Sequence, residues 1–314
     1  MAPSPLEISI VVPVYNEVEN LPELYRRLTE SLTALGRSYE LILVDDGSRD
    51  GSREALRELA AADPHVRVAL FRRNFGQTAA MQAGFDLARG VVILPLDADL
   101  QNDPKDIGRL LDKLDEGYDI VSGWRAKRKE GAIRRLPSRL ANRLIVRVTG
   151  VDIHDTGCTL KAYRREALEP VRLYGQLHRF IPALASAYGA RVTEIPVEHH
   201  PRQFGQSKYG LGRTTKVILD LMLVKFLLVS LARPIHAFGR WALLAFALAA
   251  LSLVVGLGQL VWGEQAAVWL VAALVLLTLG AQLIGTGVVA EILTRVYHEG
   301  TGRKTYQIAE LLGQ

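Results

Sequence analysis

The sequence holds a single cysteine, Cys158, in 314 residues. No disulfide framework and no cysteine-built zinc cluster can come from it, which suits a reducing compartment. There is no GxxxxGK[ST] loop, and no GxGxxG follows the first strand-like run. Their absence argues against a P-loop kinase and a dinucleotide oxidoreductase. The opening residues, MAPSPLEIS, lack the basic and apolar regions of a cleavable signal peptide. Aromatic residues are sparse at 7%, and none are interleaved with the main basic stretch as stacking platforms, so nucleic acid is not an expected partner.

Apolar residues, by contrast, make up 49% of the chain, and the mean hydropathy is +0.13. A net charge of +5 and a pI of about 9.3 suit anionic partners such as phosphates and lipid headgroups. Residues 241–262 and 266–290 carry no charge. Each run is long enough as helix, about 33 Å or more, to cross a hydrocarbon core. Gly263, Glu264 and Gln265 separate them, and Trp241, Trp262 and Trp269 sit near their ends like aromatic belt residues. Arg233 and Arg240 precede the pair, while Arg295, Arg303 and Lys304 follow it. The positive-inside rule therefore predicts a hairpin in the inner (cytoplasmic) membrane with both ends in the cytoplasm. The expected organisation is a cytoplasmic catalytic domain over 1–210 and interfacial helix over 211–234, with Lys216, Asp220 and Lys225 embedded in apolar surroundings. Two transmembrane helices then fill 235–295 (about 238–262 and 266–292), and 296–314 is a cytoplasmic tail.

The first 200 residues alternate between two periodicities. Strands are predicted at 8–14, 40–46, 66–71 and 91–99, and helices at 21–35, 52–62 and 78–88, the first with Asn20 as N-cap. Alternating strands and helices, with nearly continuous apolar strands, give an α/β fold: a parallel sheet covered by helices on both faces. Ligands bind such sheets at the carboxyl ends of the strands. The polar motifs PVYNE (13–17), DDGS (45–48), RRNFGQ (72–77) and LDADLQ (96–101) all fall there.

In the last motif Asp97 and Asp99 are two residues apart, so a regular strand would turn both to one face. Paired carboxylates repel unless a cation lies between them, and a hard divalent ion with a diphosphate fills that role. Gln101 can add a carbonyl oxygen. Asp45 and Asp46 are placed to contact a base or ribose, or to cap the helix that follows. Glu17 sits where a helix dipole favours an acid. Further along, Arg125, Lys127, Arg128, Lys129, Arg134, Arg135, Arg139 and Arg143 make a basic stretch suited to a phosphate, since a planar guanidinium grips two oxygens at once.

PVYNE, DDGS, RNFGQ and LDADLQNDP, in this order, resemble the family 2 glycosyltransferases of GT-A type fold. The nearest subgroup is similar to dolichol-phosphate mannose synthase and bacterial polyprenyl-phosphate (bactoprenyl) glucosyltransferases. The likeness covers roughly residues 8–210, and the sheet it implies is parallel or mixed. It implies that Pro13, Tyr15, Glu17 and Asp46 line a nucleoside pocket, with Asn74 and Gln77 near the donor. Asp97, Asp99 and Gln101 would hold Mg²⁺ or Mn²⁺ against the diphosphate. Arg125, Arg134 and Ser138 match acceptor-phosphate positions, although local spacing also allows Arg135 in place of Arg134. Asp155, in HDTGCTLKAYRR (154–165), would approach the acceptor. Arg202, Ser207 and Lys208, in PRQFGQSKYG (201–210), would close over the diphosphate. Cys158 is read as a small packed residue, His154 as non-ligating, and His199 and His200 as strand-end residues.

The implied reaction is an inverting transfer of a hexose from a nucleotide sugar to polyprenyl (undecaprenyl) phosphate at the cytoplasmic membrane face. UDP-glucose is the first expectation, with mannose, galactose or an aminoarabinose derivative as alternatives. Another lipid or a growing polysaccharide is the alternative acceptor, but the QxxRW motif of processive members is missing. Two spans per chain could pack as an oligomer, and tetramers occur in similar proteins.

Overall fold

The computed structural model describes residues 6–126, 150–171, 173, 177–201, 234–262, 266–300 and 305–313. The expectations placed on Arg134, Arg135, Ser138, Arg202, Ser207, Lys208 and the interfacial segment at 211–233 lie outside these residues. The described chain forms two units. One is the sheet domain together with the segment after residue 304, and the other is the pair of apolar helices.

The first strands are rich in Val, Ile and Leu and are buried almost throughout, as strands covered on both faces must be. They are β1 (Ile8–Val14), β2 (Tyr39–Asp45), β3 (Val66–Phe71) and β4 (Val92–Pro95). Between them, α1 (Leu21–Leu35), α2 (Ser52–Ala62) and α3 (Gln77–Leu87) form the crossovers. α1 buries Leu21, Leu24, Leu28 and Leu32, one face at helical spacing, and ends where Gly36 turns left-handed and donates its N–H to Thr33. Each such leucine contributes about 2–3 kcal/mol of burial.

Then come α4 (Asp106–Asp115), β5 (Ile120–Trp124), β6 (Lys161–Arg164), the short α5 (Arg165–Leu168), a 3₁₀ turn at Leu177–Phe180, α6 (Ile181–Ala187) and β7 (Val192–Pro196). An eighth strand, β8 (Ile308–Leu312), follows the apolar helices. The sheet order is β7-β5-β6-β4-β1-β2-β3-β8. β2, β1, β4 and β3 are parallel; β6 runs antiparallel to both β4 and β5, β7 is parallel to β5, and β8 is antiparallel to β3. The sheet is therefore mixed. One edge collects the carboxyl ends of β1 to β5 and β7 and the amino ends of β6 and β8.

Opposite that edge, Glu40 is buried between strands. Its Oε1 accepts from Ser9 Oγ at 2.6 Å and the Arg89 N–H at 2.7 Å, and its Oε2 from Arg67 Nη1 at 3.1 Å and Arg89 Nε at 3.0 Å. Burial alone would raise this carboxyl, but the Ser9, Arg89 and Arg67 donors outweigh it and hold it below the usual range.

Some local expectations are corrected. Asn20 does sit at the N-cap of α1, but its side chain makes no cap bond and instead donates to Glu17 Oε2 at 2.6 Å. The strand expected over 91–99 stops at Pro95, which has no N–H to donate. Beyond it the Asp99 carboxylate takes the Gln101 N–H at 3.2 Å, and Leu100 adopts φ 60°, so Asp99 stands on a turn and Asp97 just before it. Neither Asp45 nor Asp46 caps α2: its N-cap is Gly51, and Asp50 accepts from Ser52 at the helix start.

The second unit comprises α7 (Pro234–Val261) and α8 (Ala267–Gly300). Phe238–Val261 and Ala267–Ala290 are each long and apolar enough to cross a membrane, with mean hydropathies of 2.2 and 2.3. Their buried positions are small. Ala242, Ala245, Ala249, Ser252 and Gly256 alternate three- and four-residue steps, and Ala266, Ala273, Gly280 and Gly287 recur every seventh position. A side chain at Gly280 would collide with Phe246, and one at Gly256 would press on Trp269 and Leu270. The large residues, among them Leu243, Leu251, Val254, Leu274 and Val275, face outward. Small residues inside and large apolar residues outside is the arrangement of helices packed within lipid and the reverse of a water-soluble core.

Candidate active site

Each loop at the common sheet edge is pinned by side chains from its neighbours. After β1, Asn16 adopts φ 52°; its N–H donates to Ser48 Oγ at 2.9 Å, and its Oδ1 accepts from the Arg49 N–H at 2.9 Å. The Glu17 N–H donates to Ser52 Oγ at 3.0 Å. Pro13 lies within β1 opposite Val44, and Tyr15 is partly exposed just past the strand end. The PVYNE and DDGS motifs thus form one hydrogen-bonded surface.

The two aspartates at the end of β2 point to different tasks. Asp45 is fully buried and folds back on its own turn, accepting from the Gly47 N–H and the Ser48 N–H at 3.1 Å each. Arg53 Nε lies 3.1 Å from it, a charge contact whose N–H is not aligned as a hydrogen bond. Asp46 reaches across to the next loop and accepts from the Phe75 N–H at 2.6 Å and the Gly76 N–H at 2.9 Å. Burial pushes the Asp46 carboxyl up to about 6, although those two N–H groups pull it down. Gly47, at φ 78°, lets the loops meet: a Cβ there would lie 2.6 Å from Arg73 C and Asn74 N. Gly47→Ala is therefore expected to cost roughly 1–3 kcal/mol and to displace the 72–77 loop. A lowered melting temperature together with weakened nucleoside diphosphate binding would check this.

That loop carries Asn74, which is exposed, and opens α3 with Gln77. Gln77 Nε2 donates to Asp97 Oδ1 at 2.8 Å, and Thr159 Oγ1 donates to Asp97 Oδ2 at 2.6 Å. Both oxygens of the first carboxylate of the DAD motif are thereby aimed. Burial first, and the Asp99 charge second, raise the Asp97 carboxyl; Thr159, Arg125 and Lys161 oppose them. Lys161 is itself buried under the site, with its ammonium against the carbonyls of Thr156 and Cys158, and burial pulls its pKa down. Two carboxylates, Asp99 buried and Asp97 half-buried, whose mutual repulsion raises one of them are a donor set that fits a hard divalent cation.

On the other flank, Arg125, just past β5, grips Asp155 with two bonds: Nε to Oδ2 at 2.7 Å and Nη2 to Oδ1 at 2.9 Å. The Gly157 N–H donates to Asp155 Oδ1 at 3.1 Å, and a side chain at Gly157 would press within 3.2 Å of Arg125 Nη2. The basic residue and the acidic residue read separately from the sequence thus form one buried pair. Next to it, His154 stacks on Trp124 at 4.6 Å between ring centroids and hydrogen-bonds Glu194.

Of the two histidines after β7, His200 does more than end a strand. His199 bridges to Asn102, the His200 N–H donates to the Gln101 carbonyl at 2.8 Å, and His200 Nε2 lies 3.1 Å from Asp103 Oδ2. Asp103, Glu198 and His200 bring ligand atoms within 4.8 Å of one another, a second group able to hold a metal. Sequence reasoning singled out neither this group nor Thr159 and Lys161. Asp103 and Glu198 are separated by most of a hundred residues, and only the strand order joins them. Cys158 is buried and packed, as expected.

The comparisons agree with the geometry. The family model described as glycosyl transferase family 2 matches residues 9–172. Dodecaprenyl-phosphate galacturonate synthase from Rhizobium johnstonii is 42% identical, over 98% of this chain and 93% of its own length. Undecaprenyl-phosphate 4-deoxy-4-formamido-L-arabinose transferase from Klebsiella pneumoniae is also 42% identical, over 98% and 94%. Among solved structures, glucosyl-3-phosphoglycerate synthase from Mycobacterium tuberculosis, in complex with Mn²⁺, uridine-diphosphate and phosphoglyceric acid, is similar with a TM-score of 0.52. That match has 18% identity, covers 70% of this chain and 78% of that one, and speaks to the fold alone. The strand-end motifs, the mixed sheet and the matches along nearly the whole chain lead to one conclusion: this protein belongs to glycosyl transferase family 2.

Proposed function

We propose that this enzyme transfers a sugar from a nucleoside diphosphate to polyprenyl phosphate in a single displacement that inverts the anomeric carbon. The observation that carries the reading is the Arg125–Asp155 pair. Both oxygens of Asp155 are engaged by Arg125 and Gly157, a poor arrangement for a general base. A hydroxyl acceptor needs such a base, whereas a phosphate monoester arrives already ionised, with a second pKa of about 6. The relatives named above act on polyprenyl phosphates. Pro13, Tyr15, Glu17 and Asp46 would line the nucleoside side, with Asn74 and Gln77 near the donor. Asp97, Asp99 and Gln101 would hold Mg²⁺ or Mn²⁺, and Arg125 would face the acceptor phosphate. Bound there, the ion would neutralise the departing diphosphate. Gln77 and Thr159 hold the Asp97 oxygens in place, and the buried Lys161 adds positive charge beneath them.

The apolar helices support a membrane anchor. The chain leaves the sheet after β7 and re-enters it at β8, so the segments before α7 and after α8 share one side of any bilayer that the hairpin crosses. The basic flanks favour the cytoplasmic side of the inner membrane.

The relatives are named for galacturonate and formamido-arabinose, so the initial expectation of glucose draws no support from them. The test is to incubate detergent-solubilised protein with Mn²⁺ or Mg²⁺, undecaprenyl phosphate and labelled UDP-glucose, UDP-galacturonate or UDP-formamido-arabinose, then to count label in the organic phase. Metal-dependent label from one donor is the expected result and names the sugar. Nucleotide sugar that binds without ever labelling the lipid would overturn the acceptor assignment in favour of another lipid or a polysaccharide.

A further inference from the structure

β8 meets the sheet beside the donor loop. Its antiparallel pairing with β3 sets Ile308 opposite Phe71, which brings Tyr306 and Gln307 to the edge where the 72–77 loop begins. Tyr306 is buried there, stacked on Phe71 with centroids 5.4 Å apart and rings 12° from parallel. Phe71 in turn meets Phe75 edge to face at 5.6 Å. The Tyr306 hydroxyl donates to Asp86 Oδ2 at 2.7 Å, on the helix that starts at Gln77. The Arg72 N–H donates to the Gln307 carbonyl at 3.3 Å. The segment after the second apolar helix therefore holds the loop at its entry, through Phe71 and Arg72, and at its exit, through α3. Between these points Phe75 and Gly76 bind Asp46, and Gln77 aims Asp97.

We infer that Tyr306 is a positioning residue for the donor and metal side of the site. It clamps the 72–77 loop, so that the chain beyond the membrane hairpin helps to hold the Gln77–Asp97 contact. The activity readout rests on the transferase reading above; the amide readout does not.

Three full-length variants test it. Tyr306→Phe keeps the ring stack and removes the bond to Asp86. Tyr306→Ala removes both. Glu310→Gln weakens the 2.8 Å ion pair of β8 with Arg57 without touching the loop and serves as the control for docking strength. Hydrogen exchange of the Phe75 and Gly76 amides is expected to rise about tenfold in Tyr306→Ala, less in Tyr306→Phe and little in Glu310→Gln. The KM for the nucleotide sugar should rise by a similar factor in Tyr306→Ala while the KM for undecaprenyl phosphate holds. Unchanged amide exchange in Tyr306→Phe and Tyr306→Ala would overturn the inference. So would equal effects from Glu310→Gln, which would reduce Tyr306 to a docking contact, or donor and acceptor KM values that rise together. If Tyr306→Ala fails to fold, Tyr306→Phe against Glu310→Gln decides the matter by amide exchange alone. If the amides respond but no donor binds even the wild type, the clamp stands and the proposed reaction falls.

Discussion

Replacing Asp99 by asparagine is expected to slow sugar transfer by roughly 10²–10³-fold while leaving the melting temperature nearly unchanged. The carboxylate stands on a turn beyond the last residue of β4, and it takes the Gln101 N–H, a bond that an asparagine oxygen can also accept. The loss would fall on charge, and with it on the affinity for the divalent ion. Asp97→Asn should be at least as damaging for a further reason. Gln77 and Thr159 each donate to one oxygen of Asp97, and an amide can accept on only one side, so one donor would face an N–H₂ group. Thr159→Val removes one of the two aiming bonds and should cost about tenfold. Initial rates against Mn²⁺ concentration would separate these variants from damage elsewhere. An Asp99→Asn enzyme within threefold of wild type would place the ion elsewhere, and Asp103, Glu198 and His200 would then be the group to alter.

Glu40→Ala is expected to cost about 3–5 kcal/mol of stability, the largest effect expected away from the site, because it strands Arg67 and the Arg89 N–H at the base of the sheet. The pH dependence has a definite sign. The Glu40 carboxyl lies below its ordinary value of 4.5 in the folded protein. Its contribution is whole above about 4.5 and is lost as the pH falls through the folded value. Asp46 behaves oppositely: raised from 3.8 to about 6, it contributes most below about 3.8 and loses that contribution as the pH rises through about 6. Melting temperatures between about pH 2 and 8 should therefore show the slope below about pH 4.5 flattened in Glu40→Gln. Asp46→Asn should flatten the slope that runs between pH 4 and 6.

The half of the sheet that can be read from sequence is the half with strong local patterning. β1, β3, α1 and α2 match their predicted limits, and β2 and α3 lie one residue away. The remainder depends on partners distant in sequence. β6 is four residues, KAYR, too short to announce itself and given meaning only by its place between β4 and β5. β8, IAELL, lies in a stretch expected to be a tail, and five residues, four half-buried and one exposed, carry too little apolar signal to announce a strand. At the site the paired aspartates are legible because the DAD spacing is local. The Thr159–Asp97, Arg125–Asp155 and Asp103–His200 contacts join positions from 30 to 97 residues apart, and only the register of the sheet brings them together.

β8 also fixes an order of events in synthesis. Its partner β3 leaves the ribosome more than two hundred residues earlier, so the β3 edge waits unpaired while both apolar helices are made. Closing so long a loop is slow compared with the local pairing of β1 to β4. During that interval the nascent enzyme presents an open strand edge to other chains, a template for misassembly. The clamp proposed for the donor loop can close only once the chain beyond both apolar helices has been made.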